Sequence, residues 1–188
     1  MKIRSFVLLV LISVIICTTP IFACEIDDES FIIRSEEYQN CDTVVISKTL
    51  STSNPAIKNE IVMEITKTKF NSTETVNFVL SGRYYLVSND DTVSNYGIEG
   101  SADCTGDEVE NVIYDVYHNV KPEHQDNYNS SAAKTKSTIS DGVKLKGTYK
   151  LKNKKTGEWE SDIAKITIII KKDGNWETEG NYGDISIN

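Results

Sequence analysis

The feature that most constrains the fold is a strict alternation of side chains in the stretch VKLKGTYKLK, residues 143–152. Successive side chains of a β-strand point to opposite faces of a sheet, so a period of two predicts a strand with one buried and one solvated face. The apolar face carries Val143, Leu145, Gly147, Tyr149 and Leu151, and the polar face carries Lys144, Lys146, Thr148, Lys150 and Lys152. Such a strand needs a second layer to cover its apolar face.

A second stretch repeats this template, again with a glycine on the apolar face. Residues 78–86 (FVLSGRYYL) and 143–151 (VKLKGTYKL) both follow the pattern apolar-x-Leu-x-Gly-x-Tyr-x-Leu. An inward glycine marks a kink or bulge, where a strongly coiled strand cannot keep a bulky side chain. We expect the tyrosine two residues further on to cover the gap. Kinks at Gly82 and Gly147 predict an antiparallel sheet that curls strongly and closes toward a barrel.

The rest of the chain also has the pattern of an all-β protein. Runs rich in β-branched and aromatic residues predict strands over residues 43–50, 60–69, 75–87, 111–119, 143–151, 162–171 and 182–187. The pair Asp173-Gly174 predicts a hairpin with a type I′ turn. Residues 121–141 are polar without periodicity, which predicts a long, mobile, exposed loop. A two-sheet β-sandwich is the alternative to the barrel.

The N-terminus has the pattern of a secretory signal peptide. Lys2 and Arg4 precede an apolar run over residues 6–16, which is shorter than the roughly 20 residues of a membrane-spanning helix. We predict a signal peptide over residues 1–23, cleaved after Ala23, an acidic N-terminal segment over 24–42 and a single β domain over 43–188. The mature chain is expected to be exported: secreted, periplasmic or on the outer surface.

The charge balance limits the partners that this chain can have. The signal peptide contains two of the 20 basic residues and none of the 28 acidic ones, so the mature chain has a net charge of −10. A domain with this charge repels nucleic acids and anionic lipid surfaces. We therefore expect no nucleic-acid partner, and contact with a membrane only through an N-terminal lipid anchor.

The cysteines point to such an anchor. Cys24, Cys41 and Cys104 remain in the mature chain, an odd number for an oxidising compartment. The run Ile21-Phe22-Ala23-Cys24 resembles the lipobox of bacterial lipoproteins, which implies that Cys24 is acylated. With Cys24 acylated, Cys41 and Cys104 are left to pair as a disulfide. Ordinary cleavage after Ala23 is the alternative, and it leaves one cysteine free or intermolecular.

Patterns of catalytic or metal-binding residues are scarce. The spacing of His118 and His124 matches no recurring pair of zinc ligands, so exposed or capping histidines are the favoured interpretation. The chain has no nucleophile elbow and no glycine-rich phosphate loop. We therefore predict no catalytic residues, no metal site and no cofactor. The many carboxylates keep a carboxylate-based hydrolase as a weaker alternative, and enzymatic activity stays open.

Aromatic residues in the strands are the best candidates for ligand contacts. The candidate ligand-binding residues are Tyr84, Tyr114, Tyr149, Trp159 and Trp176. Inward rings hold a small ligand in some barrels, although the same rings can simply fill a core. We expect an exported, non-catalytic binding module that holds a small or extended ligand near residues 121–141. The alternative is a protein-interaction or inhibitor module acting on another extracytoplasmic macromolecule.

Overall fold

A computed structural model describes residues 30–39, 41–51, 56–159 and 163–181. The expected signal peptide, its cleavage site, Cys24 and the predicted strand over residues 182–187 lie outside these ranges. The strands are β1 (Ser30–Arg34), β2 (Thr43–Ser51), β3 (Ile57–Phe70), β4 (Thr73–Leu86), β5 (Asp91–Cys104), β6 (Val109–Val120), β7 (Tyr128–Ile139), β8 (Gly142–Asn153), β9 (Ala164–Lys171) and β10 (Trp176–Asn181). Helical structure in the described ranges consists of two short 3₁₀ segments, Ser35–Tyr38 and Pro122–His124, and neither has the length or apolar character to cross a membrane.

The strands form two antiparallel sheets, so the all-β prediction is confirmed. Sheet A has the order β2-β3-β4-β5-β6, and sheet B has the order β1-β10-β9-β8-β7. The chain passes from sheet B to sheet A after β1 and returns after β6. Both crossings connect sheet edges, and no ladder of hydrogen bonds joins the sheets within the described ranges. The predicted barrel is therefore wrong, and the two-sheet sandwich fits better.

Gly82 and Gly147 make room for rings and do not bend their strands. Neither glycine has a positive φ, and the ladders run through both without a register shift. The Tyr149 ring covers Gly147 as predicted, since a Cβ there would lie 2.2 Å from the Tyr149 hydroxyl oxygen. Gly82 is covered from the neighbouring strand, where the Tyr96 ring would lie 2.3 Å from an added Cβ. The kinks that would have curled the sheets are therefore missing.

The core lies between the sheets and uses alternate residues of each strand. On β8, the predicted apolar side chains Val143, Leu145, Tyr149 and Leu151 are all buried. The largest other side chains in this core are Tyr84, Tyr96, Phe31, Phe78 and Trp176. Removing a large apolar side chain from water contributes about 1.5–3 kcal/mol. The interior is thus stabilised mainly by aromatic and aliphatic packing between the two layers.

The expected loop over residues 121–141 is a second correction. Residues 122–124 form a 3₁₀ turn, and β7 pairs with β8 along its whole length, from Tyr128 opposite Asn153 to Ile139 opposite Gly142. β7 is the edge of sheet B, and the side chains of its second half are largely exposed on both faces. A strand exposed on both faces needs no apolar alternation, so its sequence resembles a loop.

The expected disulfide between Cys41 and Cys104 is not seen in the described part of the structure. Cys104 ends β5, and Cys41 lies two residues before β2. These strands are three positions apart in sheet A, which corresponds to about 14 Å, given about 4.8 Å between neighbouring strands. Bridged cysteines have Cα atoms within about 7 Å. Burial raises the pKa of the Cys104 thiol to about 11, which keeps it protonated and unreactive.

The predicted hairpin after β9 is present with a different turn. Gly174 has a φ of +79°, but Asp173 is not among the residues with positive φ. A type I′ turn needs positive φ at both central residues. The Gly174 amide donates to the Lys171 carbonyl at 3.0 Å, and the Lys171 amide donates to Asn175 at 2.8 Å. This pattern is typical of a type I turn followed by a glycine bulge.

Candidate functional site

The five aromatic candidates do not come together in one site. Tyr84 lies in the core on β4 and is 2% exposed, while Tyr149 and Trp176, on β8 and β10, are 0% and 3% exposed. Tyr114 is partly buried on β6 and packs against the core. Trp159 is 48% exposed and pairs with Lys152 at the end of β8. Three of the five thus serve the packing of the interior.

An aromatic cluster joins the two sheets inside the molecule. The Tyr96 and Tyr149 ring centroids are 4.9 Å apart, and His118 lies 6.0 Å and 5.9 Å from them in edge-on contact. The Tyr96 hydroxyl donates to Asn59 Oδ1 at 3.1 Å. Burial raises the pKa of Tyr149 far above its usual value. These neutral, packed rings stabilise the contact between the sheets.

His118 has structural partners at both ring nitrogens. Nδ1 lies 3.1 Å from the Ser131 carbonyl, and Nε2 lies 3.2 Å from the Ser94 hydroxyl. Since a carbonyl only accepts, Nδ1 carries the proton and Nε2 accepts from Ser94. Burial lowers the pKa of His118, and its hydrogen bond to Ser131 partly offsets this. His118 therefore connects β5 and β6 of sheet A to β7 of sheet B.

His124 has a carboxylate partner near the same corner. Its Nε2 lies 3.0 Å from Asp91 Oδ1, so it attaches the 3₁₀ turn after β6 to the start of β5. Among the described residues, no three histidine, cysteine, aspartate or glutamate side chains lie close enough together to hold a metal ion. Both histidines are therefore accounted for by contacts within the protein.

A pocket of about 430 Å³ opens on the outer face of sheet A, over β3 to β6. Tyr117 of β6 forms one wall, and it lies opposite Gly97 of β5. A Cβ on Gly97 would lie 2.6 Å from the Tyr117 hydroxyl oxygen, so the ring extends over the glycine along the sheet. That hydroxyl shares a hydrogen bond with the Ser81 side chain on β4. Because Gly97 has no side chain, the Tyr117 ring can lie close to the sheet beside the pocket.

The opposite wall consists of charged groups that pair with each other. Arg83 Nε donates to Glu60 Oε2, and Arg83 Nη1 lies 3.2 Å from Asp90 Oδ1. The guanidinium also stacks on the Tyr85 ring, 4.3 Å from its centroid. Ser47 donates to the second oxygen of Glu60 at 3.5 Å. The positive charge of Arg83 is therefore compensated on two sides, and the wall offers hydrogen-bonding groups without a free cation.

A second pocket of about 440 Å³ adjoins the first at the corner between β6 and β7. The two pockets share Asn95 and Asn119 as walls. The second is also lined by Gln125 and Tyr128, and the Gln125 amide is held by a 3.3 Å hydrogen bond to the Val120 carbonyl. We call the two pockets together the outer groove. Its second half lies at the start of residues 121–141, the region near which a ligand was predicted.

Sequence reasoning missed the main residues of the outer groove. Tyr117 could have been found, because alternation on β6 sets it on the face opposite Tyr114 and His118. Gly97 and Asn95 belong to β5, for which the sequence pattern predicted no strand. The groove was therefore not predicted, because the strand that contains Gly97 and Asn95 was not predicted.

The comparison with known proteins identifies no relative of this chain. No protein-family model, no curated protein and no solved structure matches the chain. The functional argument therefore depends on the residues of the groove and their chemistry.

Proposed function

We propose that the chain is an exported, non-catalytic binding module that holds a small or extended polar ligand in the outer groove. The supporting observation is the pair of adjoining pockets, about 430 and 440 Å³, with Asn95 and Asn119 as shared walls. Each volume falls within the roughly 300–1,000 Å³ that is typical of ligand sites. Export follows from the N-terminal pattern, with either a lipid anchor at Cys24 or plain cleavage after Ala23.

The chemistry of the groove favours a polar ligand, since its polar walls are uncharged apart from Lys121 at the corner and the paired Glu60 and Arg83. Side-chain amides of Asn95, Asn119 and Gln125 can both donate and accept hydrogen bonds. The Tyr117 ring adds an apolar surface for stacking. Arg83 is already paired with carboxylates, so an anionic ligand would have to displace them. A sugar or a short peptide segment has the required mixture of polar groups and apolar surface.

The groove favours binding over hydrolysis. Of the described residues that line the two pockets, Glu60 is the one carboxylate, and it is paired with Arg83. Glycoside hydrolysis normally uses two carboxylates about 5–10 Å apart across the scissile bond. A carboxylate-based hydrolase is therefore the weaker proposal for this site.

The protein-interaction alternative is supported by the edge strand β7. Its second half, residues 134–139, has largely exposed side chains, and within the described residues its backbone pairs with β8. An exposed edge can accept an extended segment of another protein as an additional strand. This second candidate makes a prediction that differs in location, because the partner would contact β7 and not the groove.

A nuclear magnetic resonance titration of the exported, ¹⁵N-labelled protein tests the proposal. The probes are glucose, cellobiose, N-acetylglucosamine and a glycine-serine peptide. We expect at least one probe to shift the amide signals of Gly97, Tyr117 and Asn119, and the Tyr117→Ala variant to lose these shifts.

Ile113→Ala is the matched control, since Ile113 lies on the same face of β6 and is 72% exposed. This variant should keep the response. Unchanged groove signals with every probe would argue against the proposal. A protein partner that shifts the amides of residues 134–139 would instead support the interaction module.

A further inference from the structure

The outer face of sheet B has a concentration of lysines that the outer groove does not use. These residues are Lys144, Lys146, Lys150 and Lys152 on β8, and Lys165 and Lys171 on β9. We call them the lysine face. Alternation sets no carboxylate on this side of β7, β8 or β9 within the described residues. On the neighbouring strand β10, the pairing with β9 sets Glu177 and Glu179 on the same side, and Glu177 forms an ion pair with Arg34. The chain as a whole has a net charge of −8, so this local excess of positive charge opposes the overall balance.

The lysine face has the geometry of a linear array. Alternate residues of a strand are about 6.8 Å apart, so the lysines of β8 follow one another at that interval or its multiple. On the neighbouring strand β7, small side chains lie opposite them: Thr135 faces Lys146, and Ser137 faces Lys144. Side chains this short leave the long ammonium-bearing side chains accessible. Such a row complements an extended polymer with repeated negative charges.

An exposed tryptophan lies at one end of this array. Trp159 pairs with Lys152 as an antiparallel bridge, so their side chains point to the same side of the sheet. The Lys152 ammonium lies 5.8 Å from the Trp159 ring centroid, and Trp159 is 48% exposed. An exposed indole beside a cation can stack on the apolar face of a sugar ring while the cation contacts its anionic substituent.

We propose that the lysine face binds an acidic polysaccharide. The lysines contact its sulfate, phosphate or carboxylate groups, and Trp159 stacks on a sugar ring at the end of the array. The proposal does not depend on the outer groove, which opens on the other sheet. Nucleic acid is the competing polyanion, since the overall negative charge of the chain acts on both polymers alike, and a comparison with oligothymidylate separates the two.

Binding of fluorescent dextran sulfate, followed by anisotropy at low and physiological ionic strength, tests the charge contribution. We expect binding to dextran sulfate that weakens with salt, and none to unsulfated dextran. The triple variant K144Q/K146Q/K152Q should bind about tenfold more weakly, because each lost cation reduces counterion release. The control K48Q/K69Q/K136Q has the same net charge, changes lysines outside the face and should lose less than about twofold. An equal loss in both variants would overturn the proposal.

Trp159→Ala tests recognition of the sugar. This exposed substitution should weaken binding to dextran sulfate about fivefold, with binding to inorganic polyphosphate unchanged, because polyphosphate has no ring to stack. Equal affinity of both proteins for dextran sulfate would overturn the proposal. Tighter binding of oligothymidylate than of dextran sulfate would also overturn it, in favour of single-stranded nucleic acid. Circular dichroism of each variant checks that the fold is retained.

Discussion

The two outer faces of the sandwich have the same alternation and opposite character. On sheet A, the central position of β5 is Gly97, and the Tyr117 ring extends over it beside a pocket. On sheet B, Thr148 of β8 takes a central position among outward lysines. Gly147, the adjacent glycine of β8, faces the core, where the Tyr149 ring uses its space.

The comparison teaches that the orientation of a glycine decides what it contributes. An inward glycine admits a ring into the core and leaves the outer face unchanged. An outward glycine admits a ring onto the surface, and the ring then becomes the low wall of a groove. Four predictions test the two faces and the corner between the sheets, from the largest expected effect to the smallest.

The substitution Gly97→Val should have the largest effect. Its Cβ would lie 2.7 Å from the Leu80 carbonyl oxygen and 2.6 Å from the Tyr117 hydroxyl oxygen, so both must move. We expect a loss of about 2 kcal/mol or more in the free energy of unfolding, measured by urea denaturation. Thr148→Val, at the centre of the other face, should change it by less than about 0.5 kcal/mol. Similar losses at both positions would remove the distinction between the faces.

Removing the ring that covers Gly97 should have a smaller effect. Tyr117→Ala exposes the glycine and discards a half-buried ring, for an expected loss of about 1–2 kcal/mol. Tyr117→Phe removes the hydrogen bond shared with Ser81 and should cost about 0.5–1 kcal/mol. Denaturation curves of the two variants separate the contribution of the ring to stability from that of the hydroxyl group. A larger loss in the phenylalanine variant would contradict the role assigned to the ring.

The pH dependence of stability tests the corner where the two sheets meet. Burial lowers the pKa of His118 in the folded protein, so the unfolded chain binds a proton at higher pH than the folded one. The free energy of unfolding should therefore fall as the pH drops below about 6.5, the ordinary histidine value, toward the lower folded pKa. His118→Gln should lack this part of the dependence when stability is measured between neutral and mildly acidic pH. If the free energy of unfolding of the wild-type and His118→Gln proteins changed in parallel with pH, the role assigned to His118 would be contradicted.

The smallest effects should come from the charges of the two faces, with opposite signs. Arg83→Gln breaks the pairs with Glu60 and Asp90 and should cost about 0.5–1 kcal/mol. Lys146→Gln relieves repulsion between like charges and should stabilise the fold by a few tenths of a kcal/mol. Added sodium chloride should reduce both differences, as thermal denaturation with and without salt would reveal. Differences of equal sign would contradict the contrast between the faces.

The strands that could be predicted from sequence are those with an apolar face to bury. β2, β3, β4, β6, β8 and β9 all overlap predicted strands. β7 escaped because its largely exposed second half removes the need for alternation. β5 escaped because its glycines, Gly97 and Gly100, lower its β-propensity while making room for neighbouring residues. β1 lies in the segment interpreted as acidic and becomes a strand by pairing with β10.

The sequence by itself determined the two faces of each regular strand, the burial of Leu145 and Tyr149, and the row of lysines opposite them. These properties are local, because a period of two assigns each residue to a face wherever the strand lies. Tertiary structure decided that the sheets stay separate, that Tyr96 covers Gly82, and that Tyr117 covers Gly97. These contacts depend on which strands become neighbours, and neighbours are selected by packing over the whole core.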